Sequence, residues 1–215
     1  MTQWGYSGFR RSALFTLLLA FTMTHAVHAA TIDDLQTGWE TAKYQLMGTA
    51  QTESFEQLIK TADAFTAANP DVADGWLWSG IIKSSFAGIE GGLGALGLAK
   101  KAKADFERSI ELDPDAMQGS AYTSLGTLYA GVPGWPLGFG DDKKAEQYLL
   151  KGLELDPAGI DSNYFYAQFL ADHKRKDEAR KYYEAALRAP ARPGRNIADA
   201  GRQAEVRAAL AKLDD

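Results

Sequence analysis

The chain has 215 residues, 46% hydrophobic and 24% charged, an ordinary globular composition with apolar material for one domain of usual size. Its formal net charge of −5 speaks against nucleic-acid binding, which wants a basic face. The absence of cysteine excludes disulfides and lipid attachment through a thiol, so stability must come from packing.

In chain order, Arg10 and Arg11 precede an uncharged apolar stretch from Ala13 to Met23, followed by Ala26-Val27-His28-Ala29-Ala30. A basic start, a short apolar run and small residues at a cleavage point describe a secretory signal peptide over 1–29, cut after Ala29. The apolar run is about half of the roughly 20 residues that span a bilayer, so no stable membrane insertion is expected. The expected location is the periplasm of a bacterium.

The remainder reads as helices in pairs. A weaker pair covers 32–70: Ile32 to Met47 carries Leu35, Trp39, Ala42 and Leu46, and Ser54 to Ala68 carries Phe55, Leu58, Ile59, Ala62 and Phe65. Three clearer pairs follow, at 74–114, 119–157 and 160–190. Their second helices are KKAKADFERSIELDP ending at Pro114, KKAEQYLLKGLELDP ending at Pro157 and KDEARKYYEAALRAP ending at Pro190. Each holds a small residue early (Ala102, Ala145, Ala179), then a large apolar one four positions on (Phe106, Leu149, Tyr183). A small residue comes three later (Ser109, Gly152, Ala186), and a proline closes the helix. The partner helices WLWSGIIK, AYTSLGTLY and NYFYAQFL place Gly80, Gly126 and Ala167 where two helices must approach closely. The segment 198–213 is charged on one face and offers Ala204, Leu210 and Leu213 for packing, which suits a C-terminal capping helix.

The small–aromatic–small–proline order, repeated over Asp74 to Pro190, resembles the tetratricopeptide repeat (TPR). The expected fold is therefore all-α, a right-handed helical-repeat solenoid of about four helix pairs plus the capping helix. Two connections are long for such a repeat: Ser84 to Lys101, and Gly131 to Lys144. Both are expected between the helices of a pair, on one rim of the solenoid, where insertions often bind. In the second, prolines and glycines shape the backbone around Trp135, Leu137 and Phe139. These three either fold back onto their own helices or form a platform for a partner. The first connection alternates Gly88, Gly91, Gly92, Gly94 and Gly97 with Ile89, Leu93, Leu96 and Leu98. Packing within the solenoid is its first reading and self-association into a homo-oligomer its second; it lacks the Lys and Ser/Thr of a phosphate cradle.

The order GGLGALGLAKKAK, SAYTSLGTLY, PGWPLGFGDDKKAE and GIDSNYFYAQFL also looks like exported bacterial repeat proteins similar to the TatT component of periplasmic TRAP transporters. That resemblance spans Trp76 to Pro193 and implies a periplasmic scaffold or ligand-binding helper. TatT proteins are usually lipid-anchored, and this chain has no cysteine to carry the lipid.

Chemistry is sparse. After the leader only His173 remains, in a charged turn; with no cysteine, the usual zinc sites are excluded. Asp141 and Asp142 before Lys-Lys-Ala read as a helix N-cap rather than a calcium loop. No nucleophile motif, cofactor or metal site is expected, and no enzyme. Binding then falls to the groove lined by the first helix of each pair, at Asp74, Leu77 and Ile81, at Thr123 and Thr127, and at Asp161, Tyr164 and Gln168. These positions hold no cation, so the groove is expected to take an apolar, aromatic or neutral-to-cationic segment and to refuse a carboxylate. A protein or peptide is the first expected partner, and a small ligand the alternative.

Overall fold

The structure, a computed structural model, describes residues 1–2 and 29–214; the expected leader lies outside the described residues except at its ends. Thr31 opens the first helix with a reciprocal cap. Its hydroxyl accepts from the Asp34 amide at 3.2 Å, while the Asp34 carboxylate accepts from the Thr31 amide at 2.8 Å. From there the described residues are helical throughout: α1 (Ile32–Tyr44), α2 (Gly48–Ala68), α3 (Ala73–Glu90), α4 (Gly92–Leu112), α5 (Ser120–Gly131), α6 (Asp142–Leu155), α7 (Ile160–Asp172), α8 (Lys176–Leu187) and α9 (Asn196–Asp214). The first eight pack as the four antiparallel pairs expected of a helical repeat.

The small residues sit where the pairs close. A Cβ at Gly80 would meet the ring of Phe106 at 2.5 Å, and one at Gly126 would press on the Leu149 amide at 2.8 Å and the Ala145 carbonyl at 2.9 Å. At Gly126 the obstacle is backbone, which cannot swing aside. Gly126→Ala is therefore expected to cost about 1–3 kcal/mol, read as a lowered urea midpoint with an unchanged slope.

The first long connection is helical. α3 continues to Glu90 and α4 starts at Gly92, so nearly all of Ser84 to Lys101 lengthens the two helices. Only Gly91 and Gly92 reverse the chain, with φ of 66° and 65°, a region that favours glycine. Glycine costs a helix about 1 kcal/mol relative to alanine. Here Phe86 and Ala87, buried on α3, and Ala99, buried on α4, offset that cost by packing, with Leu98 half-buried against the N-terminal core. Composition marked a Gly-rich insertion; tertiary packing made it helix.

The α2, α3 and α4 helices are also joined by charge. Lys83, buried, reaches Asp105 at 2.6 Å and Asp63 at 2.8 Å, and Ser79 donates to Asp105 at 2.8 Å.

The C-terminal helix departs most from expectation. Two buried clusters form the core: one around Leu35, Trp39, Phe55, Trp78 and Ile82, the other around Phe106, Leu125, Leu149, Leu170 and Tyr183. Ala198 of α9 belongs to the first and Val206 of α9 to the second. So α9 does not merely stack on the last pair; it packs on α7, α8 and α1 together, joining the end of the chain to its start. Gly201 permits this, because a Cβ there would strike the ring of Tyr44 on α1. Ala204, expected to pack, is exposed; the buried stripe is Ala198, Asp199, Arg202 and Val206, with Leu210 and Leu213 half-buried.

Candidate ligand cavity

The first helices of the pairs face a common interior, and α9 with the segment before it covers that interior. The result is a cavity of about 830 Å³ lined from α1, α3, α4, α5, α7 and α9. That volume lies within the range of small-molecule sites.

The two ends of the cavity differ. At the N-terminal ends of α3 and α5, the Trp78 indole donates to the Met117 sulfur at 3.3 Å, which sets these helix starts side by side. The charged groups gather there and beside α1. Arg192 reaches Asp161 and Asp199, each at 2.7 Å; Arg202 reaches Asp161 at 2.7 Å and Glu205 at 2.5 Å; Arg195 pairs with Glu40. Two guanidiniums lie over aromatic faces. Arg195 is 4.9 Å from the centre of Trp78 and 5.8 Å from that of Trp39, and Arg202 is 4.5 Å from Tyr164 and 4.4 Å from Phe165. Burial alone would raise the Asp161 carboxyl, but Arg202 and Arg192 outweigh it and hold its pKa at about 2. Burial, reinforced by the nearby Arg192, lowers the pKa of Arg195 although Glu40 opposes this.

The opposite end is apolar. It is built from the α3–α4 reversal (Ala87, Gly88, Gly92, Ala95, Leu96) and from the segment after α5 (Val132, Pro133, Leu137). Gly88, Gly92, Pro133 and Leu137 are exposed, whereas Arg202 is buried and Asp161, Arg192 and Arg195 are at most half-exposed. The mouth is thus apolar and the floor charged. Along the wall several hydroxyls are used internally: Ser84 donates to the Ile81 carbonyl at 3.1 Å, Ser120 to that of Met117 at 2.6 Å and Thr127 to that of Thr123 at 2.8 Å.

Of the groove residues expected from the sequence, Leu77, Ile81, Thr127, Asp161, Tyr164 and Gln168 line this cavity. Thr123 does not; it is buried against Gly152 of α6. Asp74 does not line it either, and burial together with the charge of Asp113 raises its pKa. The expectation of a groove without cations fails, because Lys43, Arg192, Arg195 and Arg202 all line it. The repeat pattern counted only positions on the three clearer pairs; Lys43 lies on α1, Arg192 and Arg195 lie between the last pair and the segment 198–213 read as a cap, and Arg202 lies within that segment. One signal was available: Arg202 lies midway between Ala198 and Val206, at the helical spacing that puts all three on one face of α9.

On the rim, the three expected residues part company. Phe139 folds back, meeting Tyr129 edge-on at 5.5 Å. Trp135, 89% exposed, and Leu137, 74% exposed, stay outside, with Leu137 at the cavity mouth. The loop that carries them is held by its own backbone: Leu137 and Gly138 amides donate to the Gly134 carbonyl at 3.1 Å, and Gly140 to that of Pro133 at 3.0 Å. Trp135→Ala is expected to change stability by less than about 0.5 kcal/mol. Phe139→Ala should cost about 1–2 kcal/mol, below the range for a fully buried phenylalanine. Thermal unfolding of the two variants side by side checks the division.

The Asp141 carboxylate accepts from the Lys144 amide at 3.0 Å, the expected cap of α6. His173 is exposed; its Nδ1 lies 2.8 Å from the Phe169 carbonyl and its Nε2 3.2 Å from Asp142. Among the described residues no group of three or more His, Asp and Glu is placed to hold a metal, and no helix is long and apolar enough to cross a membrane.

Comparison with known proteins agrees with the fold. The tetratricopeptide repeat family pattern matches residues 93–115 and 160–192, the first falling on α4 and the second on α7 and α8. The chain is similar to the crystal structure of TTC0263, a thermophilic TPR protein of Thermus thermophilus. The TM-score is 0.55 at 15% identity, over 85% of this chain and 98% of that one. No curated protein matches the chain. The chain has a TPR-like helical-repeat fold, with two of its segments carrying the repeat's own sequence pattern.

Proposed function

We propose that this is an exported, non-enzymatic binding protein that holds a small molecule in its central cavity, as a periplasmic accessory of a transport system of the TRAP type. The observation that carries the reading is the closure of the concave face by α9. An open face would suit a protein segment, but here the charged residues of 192–205 occupy that place and leave a bounded volume. The resemblance of the PGWPLGFGD stretch to TatT-like proteins supports the transport setting and the periplasm. The test is to release bound molecules by denaturing protein purified from its own compartment and to identify them by mass spectrometry. Ser124→Trp, which projects an indole into the cavity from α5, is the control. A compound carried by the wild type and lost from the variant supports the reading; equal recovery from both refutes it.

A second reading has its own observation. Trp135 and Leu137 stand exposed on a self-supporting loop beside the mouth, as expected of a surface that anchors a partner protein. Pull-down from periplasmic extract should enrich a protein with the wild type and lose it with Trp135→Ala. No difference between the two baits removes this reading.

A further inference from the structure

We propose that the cavity takes a single-chain amphiphile with a carboxylate head, the head on Arg195 and Arg202 at the floor and the chain running out between α3, α4 and α5 to the mouth. This rests on the small-molecule reading above and names its ligand class.

The head follows from what the floor has already used. Asp161 accepts from Arg192 and Arg202, Asp199 from Arg192, and Glu205 from Arg202, while Glu40 is paired with Arg195. Each of the four carboxylates thus has an arginine partner, Glu40 as an ion pair with Arg195 in which Oε1 and Nε make no hydrogen bond. The donors are unevenly served: Arg202 reaches Asp161 through Nε and Glu205 through Nη1 and lies against Tyr164, whereas Arg195 meets a single carboxylate, through Nε. Arg195 thus has room for a further acceptor, and a guanidinium edge suits a carboxylate, which presents two oxygens. Arg195 is the less well compensated of the two. It has one carboxylate, it is largely buried over two indoles, and Arg192 stands near it. A bound anion relieves that position, whereas a cationic head would meet guanidiniums directly.

The chain follows from the rest of the cavity. Leu77, Ile81, Leu96, Ala99, Leu128 and Val132 present only hydrocarbon, and the neighbouring Ser84 and Thr127 hydroxyls are turned to their own helices. Ser85, which accepts from the Trp39 indole, Ser124 and Gln168 are further polar residues on these walls, so charge is confined to the floor and hydrocarbon prevails toward the mouth. The α3–α4 reversal, with no side chain at Gly88, Gly91 or Gly92, leaves the mouth open on one side, and Leu137 borders it on the other.

Titration calorimetry of the full chain with dodecanoate and with dodecanol, both below their aggregation limits, tests this. Dodecanoate should bind at least tenfold more tightly than dodecanol. Arg195→Gln, and Arg195→Gln combined with Glu40→Gln so that no lone carboxylate is left buried, should lose at least tenfold for dodecanoate and leave dodecanol unchanged. Leu96→Trp, at the apolar end of the cavity, should weaken both. If both probes bind equally and the Arg195 variants match the wild type, the carboxylate assignment falls while the cavity reading stands. If neither probe binds, or Leu96→Trp changes nothing, the amphiphile falls. The mass-spectrometric comparison with Ser124→Trp then decides separately whether any small molecule occupies the cavity.

Discussion

Asp161→Ala is expected to destabilise the protein by about 3 kcal/mol and to loosen α9 from the rest of the fold. The carboxylate joins Arg192 and Arg202, both at 2.7 Å, and so ties the C-terminal segment to α7. Removing one partner of a buried pair typically costs about 3–5 kcal/mol, because the other charge stays buried and uncompensated. The lower end applies, since Asp161 is one-third open and each arginine keeps a second carboxylate. The pH dependence has a defined sign. The folded-state pKa of about 2 lies below the ordinary carboxylate value of 3.8, so the contribution is present above that value and is lost as pH falls through about 2. Acid unfolding followed by circular dichroism should show the wild type losing stability between about pH 4 and pH 2, with a shallower loss in Asp161→Ala. A variant as stable as the wild type at pH 7 would mean that the network does not hold α9.

Asp105→Ala should have the larger effect, about 3–5 kcal/mol, since both members of its pair are buried and Lys83 would keep only the exposed Asp63. The pair lies between α3 and α4 and away from the charged floor, so the damage belongs to the N-terminal half of the solenoid. Replacing both partners, as in Lys83→Met with Asp105→Leu, is expected to recover most of the loss, because no charge is then left buried. Urea unfolding of the two variants measures the difference. If the double variant is as unstable as the single one, the pair acts through something other than charge burial.

What could be read from the sequence, and what could not, divides along a physical line. The pairs were legible because their determinants are local and periodic. Gly80, Gly126 and Ala167 recur at the same place in each first helix, and Phe106, Leu149 and Tyr183 answer them in the second. Six of the eight groove positions line the cavity for the same reason, since repeat geometry sends first-helix side chains inward. At the α3–α4 hairpin the five glycines left helix and extended chain undecided, and long-range packing made the segment helical. Local signals failed for the floor. Arg192, Arg195 and Arg202 matter only because α9 reaches α1, a contact between residues some 160 positions apart in the chain that no periodicity encodes. Reading 198–213 as a terminal cap left Arg202 out of the groove, and Arg192 and Arg195 fell between the last pair and that cap, so the groove positions alone argued against a carboxylate ligand. Trp135 and Phe139 share composition and neighbourhood, yet only the folded loop shows that Phe139 packs on Tyr129 while Trp135 stays outside.

The α9 helix closes the solenoid onto α1, and the cysteine-free chain allows that closure to be measured directly. Gln45 at the end of α1 and Ala204 on α9 are both exposed and border one small surface hollow. Spin labels on Gln45→Cys and Ala204→Cys, read by pulsed dipolar spectroscopy, should give one narrow population at short distance. A long or broad distribution, as of an open solenoid whose ends do not meet, would contradict the closed cavity and the binding assigned to it.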